Sequence, residues 1–117
     1  MKVEDSIEIS MLLEIYGSLL TEKQYNLLND YYNNDLSLAE IAENEEITRQ
    51  AVRDNLKKGE RKLFDYEEKL SIMKKNIMQE EQIANILSEI NNLTENSTDT
   101  EIASVLEDVK NKLNCLV

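Results

Sequence analysis

The sequence predicts an all-α protein, and three observations carry that prediction. There is no proline and there are only two glycines, so the turn punctuation of a β fold is missing. Apolar residues recur at helical spacing along most of the chain. Ser or Thr followed three residues later by Glu or Gln, a reciprocal pair that opens helices, occurs at Thr21/Gln24, Ser37/Glu40 and Thr98/Glu101. The 117 residues fit one domain, or one domain with a helical appendage. At 41% hydrophobic and 5% aromatic they can bury a core that is mainly aliphatic.

The elements follow in order. Ile9, Leu12, Leu13 and Tyr16 share one face of a helix over residues 6–19 that ends near Gly17. A second helix starts at Thr21/Gln24 and reaches about Asn33, with Tyr25, Leu27, Leu28, Tyr31 and Tyr32 as its apolar residues. At this spacing the tyrosines are expected in the core rather than as platforms for stacking bases. Asn33-Asn34-Asp35 is a turn signal. Ser37 opens a short third helix with Leu38, Ile41 and Ala42 on one face. Ile47 is an apolar plug in the next turn, and Thr48 can cap the fourth helix. Turns of this kind often hold glycine where the backbone needs a positive φ; here the position is Glu46, and a non-glycine residue there costs about 1 kcal/mol.

From about Arg49 the helical pattern runs unbroken to Ser71 or beyond. Val52 and Leu56 begin its buried stripe, and Leu63, Phe64, Tyr66 and Leu70 continue it. Gly59 lies inside this helix at a cost of about 1 kcal/mol relative to alanine, and leaves room for a bend. The opposite face carries Arg49, Gln50, Arg53, Lys57, Lys58, Arg61 and Lys62. A short helix, a tight turn and a second helix with Arg and Gln in its opening turn is the arrangement of a helix-turn-helix. Arg49, Gln50 and Arg53 are then expected to reach base edges, and Lys57, Lys58, Arg61 and Lys62 to contact phosphates. A basic face that is merely solvated is the plainer alternative.

Residues 1–70 are thus expected to form the helix-turn-helix domain and residues 71–117 a helical extension. Ile72 to Leu93 continue in helical spacing, with a break allowed near Lys75-Asn76. The polar run from Asn91 to Thr100 reads as a loop. The Thr98/Glu101 box then opens a last helix striped by Ile102, Val105, Leu106, Val109 and Leu113. These two helices either fold back on their own domain or pair with a second copy. A homodimer is expected, because helix-turn-helix proteins commonly read two half-sites as dimers.

Charge is unevenly placed. The chain is net −11, but residues 48–75 hold nine Lys+Arg against five acids, whereas residues 1–47 are net −9 and residues 76–117 net −6. The basic stripe attracts phosphate locally, while the acidic remainder weakens non-specific binding to a polyanion. Chemistry is expected to be absent. With no histidine, one cysteine (Cys115) and no glycine-rich phosphate loop, neither an enzyme, a cofactor nor a metal site is expected. Cys115 reads as a small hydrophobe near a chain end. Glu45-Glu46 and Glu80-Glu81 adjoin in sequence and so point apart on a helix, as solvated charge. No run approaches a membrane span and the N-terminus turns acidic at once, so a cytoplasmic protein without membrane insertion is expected.

Leu20-Thr-Glu-Lys-Gln24, Ser37-Leu-Ala-Glu-Ile-Ala42 and Arg49-Gln-Ala-Val52 together resemble region four of bacterial sigma factors, which reads the upstream promoter element. The longer run through Asp54-Asn-Leu-Lys57 to Asp65-Tyr-Glu-Glu-Lys-Leu70 is more similar to the YlxM family, small sigma-region-four-like proteins associated with the signal recognition particle pathway. That similarity covers residues 10 to 75. It implies an accessory or regulatory factor of the particle whose basic helix contacts the particle's RNA or its GTPase. The alternative it leaves open is a sequence-specific DNA-binding transcriptional regulator.

Overall fold

Side-chain caps at Thr21, Ser37, Thr48 and Asp99 open four of the described helices, and left-handed residues at Glu46 and Ser71 close two of them. The computed structural model describes residues 3–96 and 99–116. Its helices are α1 (Val3–Tyr16), a 3₁₀ turn (Gly17–Leu19), α2 (Glu22–Tyr32), α3 (Leu38–Glu45), α4 (Arg49–Leu70), α5 (Ile72–Asn96) and α6 (Thr100–Asn114). Two compact units result, Met1–Met73 and Lys74–Val117.

Both expected capping boxes of the first unit form. Thr21 Oγ1 accepts from the Gln24 N–H at 3.2 Å while Gln24 Oε1 accepts from the Thr21 N–H at 3.3 Å. Ser37 and Glu40 make the same exchange at 3.1 and 3.2 Å. Positive φ occurs at Asp35 within the α2–α3 turn and at Glu46 and Ser71, which cap the ends of α3 and α4. Glu46 (φ 57°, ψ 41°) closes α3 as expected from its place in the turn. Its N–H reaches the Glu43 carbonyl, and the Ile47 N–H reaches the Ala42 carbonyl at 3.0 Å. This pair of bonds is the Schellman arrangement, with Ile47 placed over Ala42 as its apolar lock.

In the first unit α4 packs against α1, α2 and α3, and α2 in turn touches α1, α3 and α4. The core between them is Ile9, Leu12, Leu13, Tyr16, Leu20, Leu27, Leu28, Ile41, Ala42, Val52, Leu56 and Leu63. Gly59 marks a close approach in an unbroken helix, where a bend had been allowed for. A Cβ there would meet Leu28 Cδ1 at 2.7 Å, so glycine is what lets the Leu28 side chain sit where it does between α2 and α4. Tyr31, Tyr32 and Tyr66 pack half-buried on the core and Tyr16 lies within it. Tyr25 differs from expectation: it stays exposed at the surface of α2.

Two expected members of the α4 stripe face water, Phe64 at 42% and Leu70 at 46% exposure. Phe64 follows Leu63 by one residue and is therefore turned about 100° away from the core. Leu70 outruns its cover, since α4 has 22 residues against 14 in α1 and 11 in α2. At the end of α4, Tyr16 Oη donates to Glu67 Oε1 at 2.7 Å and accepts from the Ile72 N–H at 3.1 Å. Glu67 Oε1 also accepts from the Met73 N–H at 3.0 Å. This node secures the left-handed turn at Ser71 to α1.

In the second unit α5 is unbroken through Lys75-Asn76 and runs on to Asn96, so the loop before α6 is shorter than expected. Asparagine is a poor helix former, at up to about 0.7 kcal/mol relative to alanine, yet Asn91 and Asn92 are carried within it. Thr98, the expected cap of the last helix, lies outside the described residues; Asp99 is the N-cap, accepting from the Glu101 and Ile102 N–H groups. Leu116 lies beside Asn76, Gln79, Glu80 and Ile83, so α5 and α6 run antiparallel. Ile83 and Ile90 are buried, whereas Ile102, Val105 and Val109 of the expected stripe are exposed. Cys115 is an exposed thiol at the end of α6 rather than a packed hydrophobe.

Candidate nucleic-acid interface

The α3–α4 turn decides where the basic residues point. Thr48 Oγ1 accepts from the Ala51 N–H at 3.0 Å, which starts α4 directly after the Glu46–Ile47 lock. Val52 and Leu56 are driven into the core, so the far face of the helix is forced outward. All seven candidates, Arg49, Gln50, Arg53, Lys57, Lys58, Arg61 and Lys62, are exposed. At about 100° per residue, Gln50, Lys57 and Arg61 form one outward row, flanked by Arg49 and Arg53 on one side and by Lys58 and Lys62 on the other. Arg49, the first residue of α4, also stands at the positive end of the helix dipole, which adds to its pull on an anion.

These seven are not equivalent. Gln50 Nε2 donates to Asp54 Oδ1 at 2.9 Å, so its amide is already engaged and a carboxylate sits within the basic face. Lys62 Nζ donates to Gln24 Oε1 at 3.2 Å, which ties it to the start of α2. Arg53 and Lys57 are brought together at one groove of about 390 Å³, shared with Tyr31, Leu38, Leu56 and Glu60. Tyr32 Oη donates to Glu60, and burial first, then that carboxylate, pushes the phenol above its ordinary value of 10.0. Tyr31 and Tyr32 meet edge to face with ring centres 4.9 Å apart, fixing the wall behind Arg53.

Sequence reasoning passed over Asp54 and Glu60 as members of this surface. The Gln50–Asp54 bond had a visible signal, the i,i+4 spacing on a helix. Tyr32–Glu60 had none, since 28 residues separate the partners. What the arrangement offers chemically is an exposed, positively charged helix face with two arginines near its start, interrupted by Asp54 and edged by Glu60.

None of the described helices is long and apolar enough to cross a membrane. Residues 3–111 match the family described as helix-turn-helix protein, YlxM / p13 like. A UPF0122 protein of Clostridium kluyveri is 49% identical over 111 residues, 93% of this chain and 95% of the relative. A UPF0122 protein of Fusobacterium nucleatum is 54% identical over 82 residues, covering 68% and 80% of the two chains. One of Acetivibrio thermocellus is 40% identical over 110 residues, 94% of each. The chain belongs to the YlxM / p13-like helix-turn-helix family.

Proposed function

We propose that this protein binds nucleic acid through α4 and acts as an accessory or regulatory factor of the signal recognition particle in the cytoplasm. The observation that carries the reading is the exposed basic face of Arg49, Arg53, Lys57, Lys58 and Arg61 that follows the locked α3–α4 turn. Arg49 and Arg53 read the polymer, and the lysines and Arg61 hold its phosphates. The particle context rests on the YlxM resemblance and on charge. A chain of net −11 is repelled by long bare duplexes, but works well against a ribonucleoprotein that offers RNA to α4 and basic protein, such as its GTPase, to the acidic remainder. The protein works as a homodimer, supported by the apolar residues that α5 and α6 leave exposed. Its role is binding, without catalysis.

A second reading, a DNA-binding transcriptional regulator, is favoured by one detail. Arg49 and Arg53 stand in the opening turns of α4, where a recognition helix meets bases.

The experiment is a salt-titrated comparison of binding to signal recognition particle RNA and to duplex DNA pools, with Arg49→Ala/Arg53→Ala as control. The expected result is preference for the RNA, with at least about a tenfold loss on double substitution and a shallower salt dependence. Sequence-selective DNA binding would establish the second reading instead. Failure to bind either would make the basic face a solvated one.

A further inference from the structure

Between α1 and α2 the first unit carries a groove that the function of α4 does not use. It has two adjoining stretches of about 470 and 550 Å³, joined where both are lined by Leu13, Glu14 and Tyr25. No residue of α4 lines either stretch. Ile7 and Met11 on α1 and Tyr25 on α2 stand along it at 57%, 38% and 38% exposure, an apolar lining open to water with Ser6, Ser10 and Asn33 beside it. Gly17 shapes one end: a Cβ there would come within 2.8 Å of the Tyr25 ring, so only glycine lets the ring lie where it does. Glu14 and Glu22 flank the groove, and the sequence from Val3 to Tyr32 has six acids against one lysine, Lys23.

We infer that this groove docks a basic amphipathic helix of a protein partner. An apolar trough between two helices accepts the apolar stripe of a third by the helix-in-groove mode. Met11, flexible and polarizable, adapts to the side chains that enter. The α1 helix, 14 residues long, matches a partner of three to four turns. Charge selects the partner's sign: Glu14 and Glu22 attract lysines and arginines beside its apolar stripe and repel an acidic helix or a nucleic acid. Because no α4 residue takes part, the inference stands whether or not α4 binds nucleic acid.

The test uses the full chain and a synthetic leucine/lysine peptide of amphipathic spacing about four turns long, with a leucine/glutamate peptide as the sign control. Binding is followed by fluorescence anisotropy, and circular dichroism verifies that each variant is folded. The lysine peptide is expected to bind and the glutamate peptide not to. Ile7→Ser/Met11→Ser should weaken binding at least about tenfold. Glu14→Lys/Glu22→Lys should do the same, whereas the equal charge change Glu80→Lys/Glu81→Lys on α5 should shift it less than about twofold. Equal losses from the two lysine pairs would show attraction to net charge alone and overturn the inference. So would binding indifferent to the serine pair. Self-association that the serine pair abolishes, with no peptide bound, would give the groove to a second copy and overturn it as well.

Discussion

The two units are built from the same material and end differently. In the N-terminal unit, four helices surround twelve buried hydrophobic residues. In the C-terminal unit, Ile83 and Ile90 are buried on α5 and no residue of α6 is. Apolar spacing is as regular in α6 as in α4, so periodicity does not separate them. The number of neighbouring faces does. A stripe on α4 is covered by α1, α2 and α3 together, while a pair of helices leaves Ile86, Leu93, Ile102, Val105 and Val109 in water. Helical pattern states that a face is apolar; burial needs enough partners to enclose it.

The sharpest way to break this comparison is to open a cavity in each unit. Leu63→Ala should cost about 2–5 kcal/mol in urea unfolding, and Ile90→Ala less than half as much because its surroundings can collapse onto it. Equal costs would mean that the second unit is as well packed as the first. Next in size, if a second copy covers the open stripe, Ile86→Ser/Val105→Ser should raise the dimer dissociation constant by at least about a hundredfold by sedimentation, from about 1.5–3 kcal/mol per apolar side chain. A weight-average mass of one chain in the unsubstituted protein would remove the dimer from this account.

Smaller effects sharpen the picture of the first unit. Tyr16→Phe removes a donor to Glu67 and an acceptor for the Ile72 N–H, at about 1–3 kcal/mol. Faster hydrogen exchange at the Ile72 and Met73 amides would register the loss. Burial foremost, then the carboxylate each tyrosine bonds, holds the phenols of both Tyr16 and Tyr32 above their ordinary value of 10.0. Above that pH the unfolded chain releases phenol protons that the folded chain keeps, so stability should fall as pH rises. Tyr16→Phe/Tyr32→Phe should flatten the fall. Smallest of all, Glu46→Gly should stabilise by up to about 1 kcal/mol, since it relieves the left-handed turn. A loss instead would mean that the Glu46 side chain does more than tolerate its backbone.

Much of the first unit was legible residue by residue. Thr21, Ser37 and Thr48 cap where their spacing to the following residues placed them, and Glu46 takes the positive φ of the turn. Ile9, Leu12, Leu13, Tyr16, Val52 and Leu56 are buried as their periodicity implied. Phe64 and Tyr25 were misplaced because each adjoins, or lies near, a true core position in sequence while facing another way in space. Of the candidate interface, the exposed basic face was legible and its internal ties were partly so. Gln50–Asp54 is local, but Lys62–Gln24 joins residues 38 apart and needs the α2–α4 contact to exist.

By itself, then, the sequence determined what depends on neighbours within a turn or two: helix starts, the α3–α4 turn, the apolar stripes and the basic face of α4. Only the tertiary structure decided what depends on which faces meet. It made Gly59 the point where Leu28 passes, set Tyr16 and Tyr32 against Glu67 and Glu60, and shaped the α1–α2 groove around Gly17 and Tyr25. The physical reason is range: caps and stripes act through a few bonds along one helix, whereas close packing is a property of two helices at once.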